Sequence, residues 1–159
     1  MRWLLTALAS LLVFVWASAW AASCTVNAVS LVFPPFDTLT VTDGVTTLDV
    51  GCQRTGGQGE TVNYTIALSA GSGTYATRLM FSGAEQLTYN LYTTAARNQV
   101  WGDGSAGTQL VGGTIVVPGP PGRPTITATH SVYGRIGAPQ NVPAGTYITT
   151  LPIVVTVTY

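Results

Sequence analysis

The sequence predicts an all-β protein built as a sandwich or barrel. Three observations predict it. Apolar residues alternate with polar ones at period two, most clearly where Val62, Tyr64, Ile66 and Leu68 face one way and Asn63, Thr65, Ala67 and Ser69 the other. Turn-forming residues interrupt the pattern at short intervals, drawn from 18 glycines and 9 prolines. Beyond the first twenty-odd residues, nothing sustains a helical period.

The elements follow in order. Residues 1–21 read as a secretory signal peptide: Arg2 is the basic start, Leu4 to Trp20 the apolar stretch, and Ala19-Trp20-Ala21 the small-x-small cleavage pattern. Cleavage is expected after Ala21, which leaves 22–159 as one domain. A single N-terminal anchor is the alternative, although the apolar run is near the lower limit for a span. Thr25–Val29 is a short first strand. Leu39–Val41 and Thr46–Cys52 flank Asp43-Gly44, a hairpin-type turn signal. Arg54–Gly59 is a polar loop before the Val62–Leu68 strand, which Gly71-Ser72-Gly73 breaks. Leu79–Phe81 and Leu87–Leu91 follow, and Gly102-Asp103-Gly104 turns the chain. Gln109–Val117 is strand-like but interrupted by Gly112-Gly113. Pro118 to Pro124 is a stiff loop, because proline cannot donate to a ladder. Thr125–Tyr133 is a further strand, and Asn141–Gly145 turns into the last one.

That last strand, Gly145 to Tyr159, is the most pointed feature. Leu151, Ile153, Val155, Val157 and Tyr159 share one face, which is the pattern of a strand packed on a core. Such a strand needs a neighbour on each edge or a device that protects the free one. Either an earlier strand or another chain must supply it.

Composition narrows the partners. Charged residues are 8% of the chain, and all six cationic residues are arginine. Without Arg2, five arginines face six acids, a net charge of about −1. Nucleic acid is excluded as a partner, since phosphate neutralisation needs a cationic patch. No segment after the signal peptide could span a membrane. Cys24 and Cys52 form an even pair in an exported chain and read as a disulfide. The rival, lipidation of Cys24, would orphan Cys52.

No residue cluster points to catalysis. His130 is the sole histidine and lies in phase with Ile126, Ala128 and Val132, as a structural residue would. The acids Asp37, Asp43, Asp49, Glu60, Glu85 and Asp103 are scattered, without the pairing of a glycosidase site. The expectation is no enzyme, no cofactor and no metal. Trp101, Tyr75, Tyr92 and Tyr133 could make a sugar-stacking surface, but core filling and cross-strand pairing is the preferred reading of them. Asn63-Tyr64-Thr65 matches a glycosylation sequon inside a strand.

The distributed pattern carries a resemblance. Its first half is Cys24-Thr-Val26, Val50-Gly-Cys52, Tyr64 to Gly71 and Arg78-Leu-Met80. Its second half is Leu87-Thr-Tyr-Asn-Leu-Tyr92, Val100-Trp-Gly-Asp-Gly104, Tyr133-Gly-Arg-Ile136 and Pro143-Ala-Gly-Thr-Tyr147. In order and spacing this resembles the spore coat protein U domain family, which includes the pilins of archaic chaperone–usher pili. The resemblance implies an immunoglobulin-like two-sheet sandwich that lacks its last strand. It implies a structural or adhesive fibre subunit, assembled by donor-strand complementation and serving cell adhesion and biofilm. The implied partners are a periplasmic pilus chaperone, an outer-membrane usher and a neighbouring pilin that donates a strand. The implied location is the periplasm in transit and then the cell surface. Tyr147, Leu151, Ile153, Val155, Val157 and Tyr159 become candidates for the wall of the acceptor groove.

Two departures qualify this expectation. Only Ala22 and Ser23 would precede Cys24 after cleavage, so the chain is expected to accept a strand without donating one, as a distal tip subunit would. Phe33-Pro-Pro-Phe36 stands where the family has a Phe-Gly-x-aromatic pattern, and Pro118–Pro124 looks like an insertion. The alternatives to a fibre subunit are a secreted lectin-like binding module and a coat protein.

Overall fold

A computed structural model describes residues 22–159. The expected signal peptide, 1–21, lies outside them. The described residues contain eight strands and no helix: β1 (Ala22–Ala28), β2 (Thr42–Arg54), β3 (Glu60–Leu68), β4 (Arg78–Ser82), β5 (Glu85–Tyr92), β6 (Val111–Val117), β7 (Ile126–Ile136) and β8 (Val155–Thr158). They form two antiparallel sheets, one in the order β1-β2-β7-β5-β4 and one in the order β6-β3-β8. This is an all-β, immunoglobulin-like sandwich.

The alternation read from the sequence puts one face of each sheet inside. Leu48 and Val50 of β2, Val62, Tyr64, Ile66 and Leu68 of β3, and Leu87, Tyr89 and Leu91 of β5 are all buried. Cys24 and Cys52 lie directly opposite in the β1–β2 ladder and are joined by a disulfide. It ties the edge strand β1 to its neighbour β2.

Three local expectations are corrected. Asp43-Gly44 is no turn: both residues lie inside β2, opposite Arg135 and Gly134 of β7. The Asp43 carboxylate accepts from Arg135 Nε (2.7 Å) and Nη2 (2.9 Å) and pairs with Arg97 Nη1 (3.2 Å), so its polar side chain serves the sheet rather than a bend. Hydrogen bonding to Arg135 also holds its pKa below the ordinary 3.8. Leu39–Val41 is no strand. Asp37 accepts from the Leu39 amide (2.9 Å), a local turn that competes with a ladder, and Leu39 and Val41 face solvent. Gly112-Gly113 does not interrupt β6, because the Tyr64 ring lies over Gly113 and covers that stretch.

The final strand is the fourth correction. Only Val155–Thr158 is paired, on β3, and it forms the edge of its sheet rather than a core strand. Leu151 and Tyr159 are 60% and 57% exposed. Pro152 cannot donate to a ladder, and the stretch before it is held instead by Phe81–Ile148 backbone bonds and by Ser72.

Two buried side chains fix the loops at one end of the sandwich. Trp101 is 0% exposed, and its Nε1 donates to the Ile66 carbonyl (3.0 Å). Arg78, also fully buried, donates to the carbonyls of Trp101 (2.7 Å) and Ser69 (3.0 Å) and to the Asn90 side chain. The Pro118–Pro124 stretch is not a free loop. Gln53 and Arg54 of β2 donate to the carbonyls of Arg123 and Gly122.

Candidate functional site

The two sheets do not close on every side. β1 is one edge of the larger sheet and β8 one edge of the smaller, and neither has a second strand neighbour among the described residues. In a closed sandwich the inward side chains of both would be buried. Here Val26 of β1 is 38% exposed, whereas Val50, directly opposite it on β2, is 0% exposed. A space of about 360 Å³ opens between the sheets on this side.

Its first wall is the chain that leaves β1. Val29 is still held to β2, donating to the Thr47 carbonyl (3.2 Å) and accepting from the Thr46 hydroxyl (2.9 Å). From Ser30 to Asp37 no backbone group bonds the backbone of another described residue. The segment runs extended, with Leu31 and Phe33 partly buried and Val32 79% exposed between them. Leu31 and Phe33 rest on Gly44 and Gly134, which face each other across the β2–β7 ladder. A Cβ on Gly134 would stand 2.7 Å from Phe33 Cζ, so glycine on both strands gives these side chains their seat. Phe33 also meets Tyr89 edge-on, with centroids 6.1 Å apart.

The floor is Leu48, Leu68, Met80, Tyr89, Leu91 and Val132, and the far wall is Thr149, Pro152, Ile153 and Val155. No lining residue among those described carries a charge. Ile153 lies against Gly71, where the backbone takes φ 63° and a Cβ would stand 2.6 Å from Ile153 Cδ1. Ser69 fixes the same stretch, its amide donating to the Val154 carbonyl (2.9 Å) and its hydroxyl accepting from the Val154 amide (2.8 Å). The opening is therefore an apolar trough between two backbone edges with unused hydrogen-bonding groups. Such a surface suits an extended chain with alternating apolar side chains.

The six residues expected in the groove wall separate into three groups. Ile153 and Val155 line the trough. Val157 and Tyr147 pack partly against the core, with the Tyr147 hydroxyl donating to the Pro143 carbonyl (2.8 Å). Leu151 faces solvent, and Tyr159 sits at the far end of β8, where its hydroxyl accepts from the Cys24 amide (3.3 Å). The opposite wall, Leu31 and Phe33, was missing from the expected groove residues. Its signal was the apolar spacing of Leu31, Phe33 and Phe36 around a proline pair.

The chemistry-bearing residues are occupied elsewhere. His130 crosses from β7 to the other sheet, where its Nε2 lies 2.7 Å from the Tyr64 hydroxyl. A neutral imidazole with its proton on Nδ1 can accept a hydrogen bond from the phenol O–H there. Burial pushes the His130 pKa below its ordinary 6.5, and Asp49 opposes that only in part; burial also raises Tyr64. The sign follows. Between the lowered value and 6.5 the unfolded chain binds the proton and the folded chain does not, so stability is full above pH 6.5 and falls as pH drops through that window. His130→Gln is expected to flatten the urea midpoint between pH 7 and pH 5. A wild-type midpoint constant over this range would refute the assignment. Asp43 does not confound the test, since its pKa lies below 3.8.

The aromatic residues do not assemble into a stacking surface. Trp101 is internal; Tyr75 sits beside Arg78, whose guanidinium carbon is 5.5 Å from the ring centroid. Tyr92 and Tyr133 are ladder partners, and Arg97 covers the Tyr133 ring at 5.6 Å.

Comparison with known proteins follows the same line. The profile of the Spore Coat Protein U domain matches residues 9–156. No curated protein matches the chain. Among solved structures, the fold is similar to a chain in the crystal structure of the CsuC-CsuE chaperone-tip adhesion subunit pre-assembly complex from archaic chaperone-usher Csu pili of Acinetobacter baumannii. The TM-score is 0.57 at 17% identity, over 87% of this chain and 40% of that one. The chain thus spans about two fifths of the length of that neighbour, and the likeness is one of fold.

Proposed function

Since the chain belongs to the Spore Coat Protein U domain family, we propose that it is a subunit of a chaperone–usher surface fibre whose β1–β8 opening accepts a strand from a partner. The observation that carries the reading is the uncharged trough between two strand edges with unused backbone groups. Hydrogen bonds to both edges would give affinity, and alternate side chains set on Leu48, Leu68, Leu91 and Val132 would give register. A periplasmic chaperone fills the trough first, and a neighbouring subunit replaces it at an outer-membrane usher. The work is assembly and adhesion, not catalysis. In its finer form the reading puts the subunit at the distal tip of an exported fibre, with support from a fold neighbour that belongs to a chaperone–tip adhesion subunit complex.

Co-production with a periplasmic pilus chaperone from the same organism tests the reading. The expected result is a one-to-one complex and a several-fold gain in soluble protein. A chain equally soluble alone, with no complex on size exclusion, would defeat it.

A further inference from the structure

We propose that Tyr159 is a latch that holds one end of the β1–β8 opening shut until a strand enters. This rests on the strand-acceptor reading above. Val155, Val157 and Tyr159 alternate along β8, and Tyr159 carries its ring toward β1. There its hydroxyl accepts from the Cys24 amide at 3.3 Å. Among the described residues, this is the sole hydrogen bond that crosses between β1 and β8.

The chemistry of the contact makes it exclusive. Cys24 is locked to Cys52 on β2 by the disulfide and the ladder, so that end of β1 is fixed. Its amide points away from β2, toward the opening, and it is one donor. A strand that runs the length of the opening must present a carbonyl to that same amide. The phenol oxygen and the incoming carbonyl compete for one proton, so the latch is made in the vacant state and broken in the filled one. Toward Ala28 no such bond is made, and there the sheets stand apart around the trough.

The test compares wild type with Tyr159→Phe, which keeps the ring and removes the acceptor. The probe is a fluorescein-labelled peptide of twelve residues that alternate valine with threonine, with a lysine at each end. Loss of one exposed hydrogen bond predicts association about two- to fivefold faster, with dissociation unchanged. In the free protein the Cys24 amide exchanges faster in the variant. A contact that persists in the filled state would leave both rates unchanged, and equal association rates with the peptide bound would overturn the latch. If the peptide binds neither protein, the strand-acceptor reading fails and the latch falls with it.

Discussion

A strand appended after Tyr159 through a short flexible turn, with valine alternating with threonine, is expected to raise the melting temperature by about 10 °C or more. The valines would fill the space above Leu48, Leu68, Leu91 and Val132, which are buried at its floor, and cover the half-buried Ile153 and Val155 at its wall. The gain needs both backbone edges, β8 on one side and the Ser30–Phe33 stretch on the other. At this chain length a net gain of about 3 kcal/mol is enough for that shift. The control is built into β geometry. Moving the appended strand by one residue turns its threonines inward and its valines to water, and the gain should vanish. If both phases stabilise equally, the effect is a generic one of added strand, and the trough is not an acceptor. If neither does, the trough does not take a strand.

Trp101→Ala is expected to cost about 3–5 kcal/mol in urea unfolding, the range for deletion of a fully buried large aromatic. The side chain is wholly enclosed, and its loss leaves a cavity between β3 and the loops that Arg78 organises. It also removes the indole N–H bond to the Ile66 carbonyl of β3. Trp101→Phe separates the two terms, since it fills most of the space and still loses the indole bond to that carbonyl. A loss below about 1 kcal/mol for the alanine variant would contradict the packing described here. The same burial removes Trp101 from any lectin-like surface, so the variant should act on stability and not on glycan binding.

Much of this architecture was legible from residue order. The period-two faces of Val62–Leu68 and Leu87–Leu91 mark the inner faces of β3 and β5, because both strands are packed on one side and wet on the other. The cysteine pair identified the β1–β2 tie, since Cys24 and Cys52 fall opposite each other once the first two strands are antiparallel. Local chemistry misled where a side chain had a distant partner. Asp43-Gly44 carries the residues of a turn, yet the aspartate is claimed by Arg135, 92 residues on, and the glycine by Leu31 and Phe33. No short window contains those partners.

The alternation near Tyr159 determined that the chain ends in a strand with an apolar face. It could not determine which edge that strand occupies or how much of it pairs. Those depend on Pro152, which withholds a donor, and on Ser69 and Gly71, which hold Ile153 and Val154 from another strand's end. By itself the sequence determined the fold class, pointed to the disulfide, and raised the question of what pairs the edges of its last strand. Only the tertiary structure decided which edges stand apart and where the trough between them lies. A groove is made of two walls, and here the second wall, Leu31 and Phe33, is separated from the first by more than a hundred residues. Side-chain period reports which face is apolar; it says nothing about which two edges the fold leaves apart.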